Sequence, residues 1–167
     1  MSSRSVWPWA VAIGVAALDL LCKQWALQAL APLAAQDTAT VRLGLVRNPG
    51  VALSLGAAHP MMAGASAAIV VGAVAWWLAR SNGWLLQAGL AAMLGGGVGN
   101  LADRVHHGAV TDWIHVAGYP ATFNLADVAI RLGALTVLLA LWLGVRQRSR
   151  AAAPTGERPA IGAAPHP

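Results

Sequence analysis

Four stretches of this chain are long and apolar enough to cross a membrane, and they constrain its fold more than any motif does. They run roughly from Val6 to Leu30, Met61 to Ala79, Trp84 to Leu101 and Leu125 to Val145; crossing the hydrocarbon takes about 20 mainly apolar residues. In lipid every backbone N–H and C=O must find its partner within the protein, which favours helices. The expected fold is therefore all-α, a bundle of four transmembrane helices forming one unit over residues 1–146. Composition agrees: 57% of residues are hydrophobic and 10% charged, which is too apolar for a soluble domain. Residues 147–167 hold arginines, alanines and four prolines without apolar periodicity, and are expected to form a disordered basic tail.

Orientation follows from the basic residues outside the spans. Arg4, Arg80, Arg146, Arg148, Arg150 and Arg158 fall on one side, and Arg42, Arg47 and Arg104 on the other. The richer side is expected to be cytoplasmic by the positive-inside rule, with both termini there. Residues 31–60 and 102–124 then face outward. Trp7, Trp9, Trp76, Trp77, Trp84 and Trp142 lie near span ends, where amphipathic rings sit at headgroup level. The first span is read as retained rather than cleaved, because Asp19 and Lys23 lie four apart on one helical face and can pair within a bundle. Cys22 is the single cysteine, so an internal disulfide is excluded. The net charge of +5 forms no basic stripe with interleaved aromatics, which argues against a nucleic-acid partner.

In the first outward segment, Val41, Leu43 and Leu45 alternate with Arg42 and Gly44, the period of a strand. Val51, Leu53 and Leu55 repeat the pattern after Asn48-Pro49-Gly50, so a small hairpin is expected there. The second outward segment carries Asp103, Arg104, His106, His107, Asp112 and His115, read as a polar loop. Asp112 stands between Val110-Thr111 and Trp113-Ile114, an apolar setting that raises a carboxylate's pKa. Asp127 opens the last span.

Several chemistries fail on spacing. Gly97, Gly99 and Ala102 match a dinucleotide fingerprint, yet no strand precedes them and they lie in a span. Gly95 and Gly99 read better as a small-residue face for close helix approach. His106, His107 and His115 have no metal-ligand spacing, and no serine sits in a nucleophile elbow. The pair Asp112 and Asp127 remains. Two neighbouring carboxylates keep one proton between them, so one can activate water while the other protonates a carbonyl oxygen. On the residues alone a structural role stands level with this, Asp112 capping a helix and Asp127 pairing with Arg131 on the same face. A small proton-coupled transporter using these carboxylates is the alternative function, and a subunit whose polar groups merely join helices is a third.

At these residues the chain closely resembles the lipoprotein signal peptidase family, the bacterial signal peptidase II intramembrane aspartic proteases. The likeness covers most of residues 15–145. It runs through Asp19 with Lys23, Arg47-Asn48-Pro49-Gly50 with Ala52 and Ser54, and Gly96-x-x-Gly99-Asn100-Leu101-x-Asp103-Arg104. It continues in Gly108-x-Val110-x-Asp112-Trp113 and Phe123-Asn124-x-Ala126-Asp127-x-x-Ile130. The resemblance implies a four-helix bundle with a small extracytoplasmic β-cradle in the bacterial inner membrane. Its substrates would be prolipoproteins carrying diacylglycerol on the cysteine after the signal sequence, cleaved just before that cysteine. Asp112 and Asp127 match the catalytic aspartates. Asn48, Asn100, Asp103, Arg104 and Asn124 match polar residues around the site, and Asp19 with Lys23 a supporting pair. No metal or other cofactor is implied, and no obligate protein partner; the other partner is membrane lipid. The chain departs from the family pattern at Val51, where alanine is frequent, and at Leu53 and Trp113, where phenylalanine is.

Overall fold

The computed structural model describes residues 5–30, 41–50 and 60–151. Helices α1 (Trp7–Leu30), α2 (Pro60–Arg80), α3 (Trp84–His107) and α4 (Leu125–Ala151) alternate with two strands, β1 (Val41–Asn48) after α1 and β2 (Val110–Val116) after α3. All four helices are long and apolar enough to cross a membrane.

Helix α3 is the hub, packed against α1, α2 and α4. Lipid tails are as apolar as leucine, so helices in a membrane associate through close packing rather than the hydrophobic effect. Glycines on α3 provide it. A Cβ on Gly89 would stand 2.8 Å from the Gly133 carbonyl oxygen of α4, and one on Gly96 would stand 2.5 Å from that of Ala126. Gly95 faces Ala12 and Val15 of α1 in the same way, and Gly99 faces Asp19. The expected small-residue face at Gly95 and Gly99 is thus a contact with α1, joined by a second face toward α4. Ala12, Val74, Leu78, Leu90, Ala91, Leu94 and Val137 form the apolar core, in the half of the bundle where α1 begins. The tryptophans expected at span ends are exposed, from 36% at Trp7 to 73% at Trp84.

One expectation about the outward segments needs correction. The polar run after Leu101 is helical: α3 continues to His107 and stops at Gly108, whose left-handed φ of 70° lets its N–H reach the Arg104 carbonyl at 3.0 Å. A glycine there is the ordinary way to end a helix, and Arg104, His106 and His107 in the last turn complement its dipole. The strand β1 pairs with β2, antiparallel, with Val46 opposite Asp112, Arg47 opposite Thr111 and Asn48 opposite Val110, and an irregularity between Leu43 and Val46. The small β element expected on the outward side is thus present as a two-stranded antiparallel sheet whose second strand comes from the later outward segment, with Val110, Thr111 and Asp112 buried. The anticipated second arm, Val51 to Leu55, lies outside the described residues. Helix α4 also runs past residue 146 to Ala151: good helix formers continue it, and the first proline downstream is Pro154. Residues 152–167 of the expected tail lie outside the described residues.

Candidate active site

Where α1, α3 and α4 meet the sheet, Asp19, Lys23, Asn100, Asp103, Thr111, Asp112 and Asn124 are all buried. Buried polar groups are costly unless bonded, and here each supports the next. Lys23 has three N–H donors and three acceptors around them. Its Nζ pairs with Asp19 Oδ2 at 2.7 Å and Asp103 Oδ2 at 3.4 Å, and donates to Asn100 Oδ1 at 2.8 Å. The other oxygen of Asp19 accepts the Ala126 amide at 2.9 Å, tying α1 to the first turn of α4.

Asn124 starts α4. Its Oδ1 accepts the Asp127 N–H at 3.0 Å while Asp127 Oδ2 accepts the Asn124 N–H at 3.3 Å, a reciprocal capping box. Its side-chain amide then donates to Asp112 Oδ1 at 2.8 Å and to Asn100 Oδ1 at 3.1 Å. Asn100 Nδ2 donates to Asp127 Oδ1 at 2.9 Å. One asparagine therefore touches both carboxylates, and neither structural contact weighed from the sequence, Asp112 as a helix cap or Asp127 paired with Arg131, is the one found among the described residues. Asp112 stands on a strand, not in a loop or at a helix cap, and Arg131 lies over the rings of Tyr119 and Phe123 at 5.8 and 5.6 Å. Among the described residues no ion pair joins Arg131 to Asp127.

The sheet fixes the other side of Asp112. Strand side chains alternate with period two, so Asn48 shares a face with Val46, the residue opposite Asp112. Its Nδ2 donates to Asp112 Oδ2 at 3.2 Å, and its Oδ1 accepts the Gly50 N–H at 3.1 Å. Arg104 donates to the Gly50 carbonyl at 2.6 Å and to the Asn100 carbonyl at 3.2 Å. All nine residues singled out by sequence thus fall in one connected cluster.

Some members were not anticipated. Thr111 gives its N–H to Asp103 Oδ2 at 2.8 Å and accepts Arg47 Nη1 on its hydroxyl at 2.8 Å, locking β2 to α3 and to β1. Only the motif position of Arg47 beside Asn48 hinted at this. His107 Nδ1 lies 3.5 Å from Asp103 Oδ1, a contact that the i, i+4 spacing allows once α3 is known to reach that far. His106 and His107 belong to this helix rather than to a solvated loop. Trp113 meets Trp25 of α1 edge-on at 5.7 Å.

Burial raises the Asp112 carboxyl from its ordinary value of 3.8 to about 6. The charge of Asp127 adds to the rise, and the hydrogen bonds from Asn48 and Asn124 oppose it. A carboxyl displaced in this way keeps its proton closer to neutral pH than an ordinary aspartate does. Among the described residues no group of three or more His, Cys, Asp or Glu side chains is placed to hold a metal ion.

Comparison with known proteins agrees with this geometry. The chain is 38% identical to the lipoprotein signal peptidase of Synechococcus sp. (strain RCC307) over 154 residues, covering 89% of this chain and 100% of that protein. It is 37% identical to the lipoprotein signal peptidase of Gloeobacter violaceus, covering 96% and 92%. Two solved structures, each described as a bacterial membrane enzyme, share the fold. One has a TM-score of 0.75 at 20% identity over 90% of this chain and 94% of that one; the other has 0.66 at 22% identity over 80% and 91%. The family model described as Signal peptidase (SPase) II matches residues 11–143, a range that contains every member of the cluster from Asp19 to Asp127, and the chain belongs to that family.

Proposed function

We propose that Asp112 and Asp127 are the catalytic pair with which this membrane peptidase removes signal peptides from lipoprotein precursors. The observation that carries this reading is the Asn124 bridge to both carboxylates, together with the upward shift of Asp112. Asp112 is the proton donor. Asp127, accepting from Asn100 and the Asn124 amide, is the base that takes a proton from water as the water attacks the scissile carbonyl. Asp112 gives its proton to the carbonyl oxygen. On collapse of the tetrahedral intermediate the C–N bond breaks, a proton passes to the leaving amine, and the oxygen's proton returns to the pair. Asn48, Asn100 and Asn124 hold the carboxylates at fixed angles, Arg104 holds the Gly50 turn, and Asp19, Lys23 and Asp103 support the frame behind them.

The substrate is a precursor bearing diacylglycerol on the cysteine after the cleaved bond. Its acyl chains stay in the bilayer while the bond enters between α1, α4 and the sheet. The enzyme lies in the inner membrane with both termini cytoplasmic and the pair near the outer face, as the excess of arginine at the opposite end supports. A transporter fits poorly, because the family is one of peptidases and the carboxylates gather toward one end of the bundle.

The test is Asp112→Asn and Asp127→Asn, made singly and given lipidated precursor in membranes. Each variant should insert normally and lose cleavage by about 100- to 10,000-fold, the range for a general acid or base. Ordinary processing by either variant would sink the proposal.

A further inference from the structure

The end of the bundle farthest from the aspartates contains a cleft of ≈ 930 Å³ that the peptidase chemistry does not use. It lies among the start of α1, the end of α2 and the turn into α3. Ser5, Trp9, Trp76, Arg80, Asn82 and Gln87 are among its lining residues. The turn is fixed: Ser81 N–H and Oγ both bond to the Leu78 carbonyl at 3.2 and 3.0 Å, and Gln87 Nε2 donates to the Ser81 carbonyl at 3.0 Å. Arg80 is held with its guanidinium 4.6 Å from the centre of the Trp76 ring. A cation over an aromatic face is oriented but not neutralised, so the charge faces an open cleft.

Among the described residues, that charge has no carboxylate beside it. The four acidic residues among those described, Asp19, Asp103, Asp112 and Asp127, all belong to the cluster around Lys23 and Asn124. From Gly83 to Asn100, α3 climbs about 25 Å. At the cleft end the other described charges are also basic. Arg146 stacks on Trp142 at 4.5 Å, repeating on α4 the Trp-x-x-x-Arg arrangement of α2, and Arg148 and Arg150 follow in the last turn. Trp9 and Trp76 are 39% and 61% exposed, so the walls of the cleft continue into the lipid-facing surface of the bundle. A cavity at the membrane boundary with aromatic walls, neutral donors and a guanidinium that has no carboxylate partner among the described residues complements a phosphodiester with apolar chains attached.

We propose that this cleft binds the headgroup of an anionic phospholipid from the leaflet opposite the aspartates. Arg80 bonds the phosphate, Ser5, Asn82 and Gln87 supply neutral hydrogen bonds to the headgroup, and Trp9 and Trp76 flank the glycerol and first methylenes. The lipid ties α1 to the α2–α3 turn.

The experiment uses the full chain in nanodiscs of phosphatidylcholine with phosphatidylglycerol, followed by mass spectrometry of the lipids retained on release. The wild-type chain should retain phosphatidylglycerol about fivefold over its share, as expected for one arginine at the surface of a membrane, and the preference should weaken with salt. Arg80→Gln should abolish it, Arg80→Lys should keep part of it, and Arg148→Gln, outside the cleft, should leave most of it. Equal retention of both lipids by the wild-type chain overturns the proposal without any variant having to fold. A loss in Arg148→Gln as large as in Arg80→Gln also overturns it, since attraction would then belong to the whole basic end. Displacement by 10 mM inorganic phosphate, a probe concentration well above that of a tight anion site, would assign the cleft to a free anion and reject the lipid.

Discussion

Asn124 joins two tasks that are often separate. Its main chain and Oδ1 begin α4 in a capping box with Asp127, and its amide nitrogen holds Asp112 across the gap from β2. The helix start and the carboxylate pair therefore assemble together. The start of a span near Asp127 was legible, but the capping role of Asn124 and the target of its amide were not, since Asp112 approaches from a different element. The displaced pKa of Asp112 has a consequence for stability. Its folded value, about 6, lies above the ordinary 3.8, so the folded chain binds this proton more tightly than the unfolded chain does. Linkage then gives a contribution most favourable below about pH 3.8 and lost as pH rises through about 6. Asp112→Asn removes that titration. Whatever constant offset the amide introduces, thermal melts in detergent should show the variant gaining on wild type by about 1–3 kcal/mol between pH 4 and pH 7. A difference that stays flat over that range would mean Asp112 does not titrate as described.

At the scale of elements, the chain's spans were legible because continuous apolar length is a local property. The sheet was only half legible. The alternation of Val41, Leu43 and Leu45 announced a strand, but its partner lies beyond α2 and α3, and strand periodicity carries no information about which distant strand will pair. The glycines of α3 show how much of the site depends on helix spacing. A Cβ on Gly99 would overlap Asp19 Oδ2, and Asp19 anchors both Lys23 and the Ala126 amide. Moving that carboxylate disturbs two helix contacts, so Gly99→Ala should cost about 1–3 kcal/mol, as overpacking does, and should lower cleavage. Gly14→Ala is the control, because nothing lies within 4 Å of a Cβ at Gly14. Helix propensity predicts a neutral change or a gain of up to about 1 kcal/mol there. Equal melting temperatures for the two variants would remove the close α1–α3 contact from the account of the site.

The whole molecule is divided along its length. The carboxylates, Lys23 and Arg104 gather where the sheet covers the bundle, while Arg80, Arg146, Arg148 and Arg150 mark the other end. Four crossings return the chain to the side on which α1 began, so a single charge asymmetry suffices to orient it; in the proposed orientation the basic end stays cytoplasmic and the carboxylate pair lies at the far surface. The charge asymmetry was readable from the sequence because arginines outside spans can be counted without knowing any contact. The connection between topology and chemistry was not readable, since it needs β2 laid against β1 over the ends of α1 and α3. In a Cys22→Ala background, Ala117→Cys places a thiol just after β2, and Asn82→Cys places one in the α2–α3 turn; both positions are exposed. An impermeant maleimide added to intact spheroplasts should label the thiol at position 117 at once and the thiol at position 82 only after the membrane is opened. The opposite pattern would put Asp112 and Asp127 on the cytoplasmic side, where a precursor still crossing the membrane would not present its cleavage site. Labelling of both thiols in intact cells would mean that the basic end does not fix orientation, and the proposal that substrate reaches the pair from the outer leaflet would fail with it.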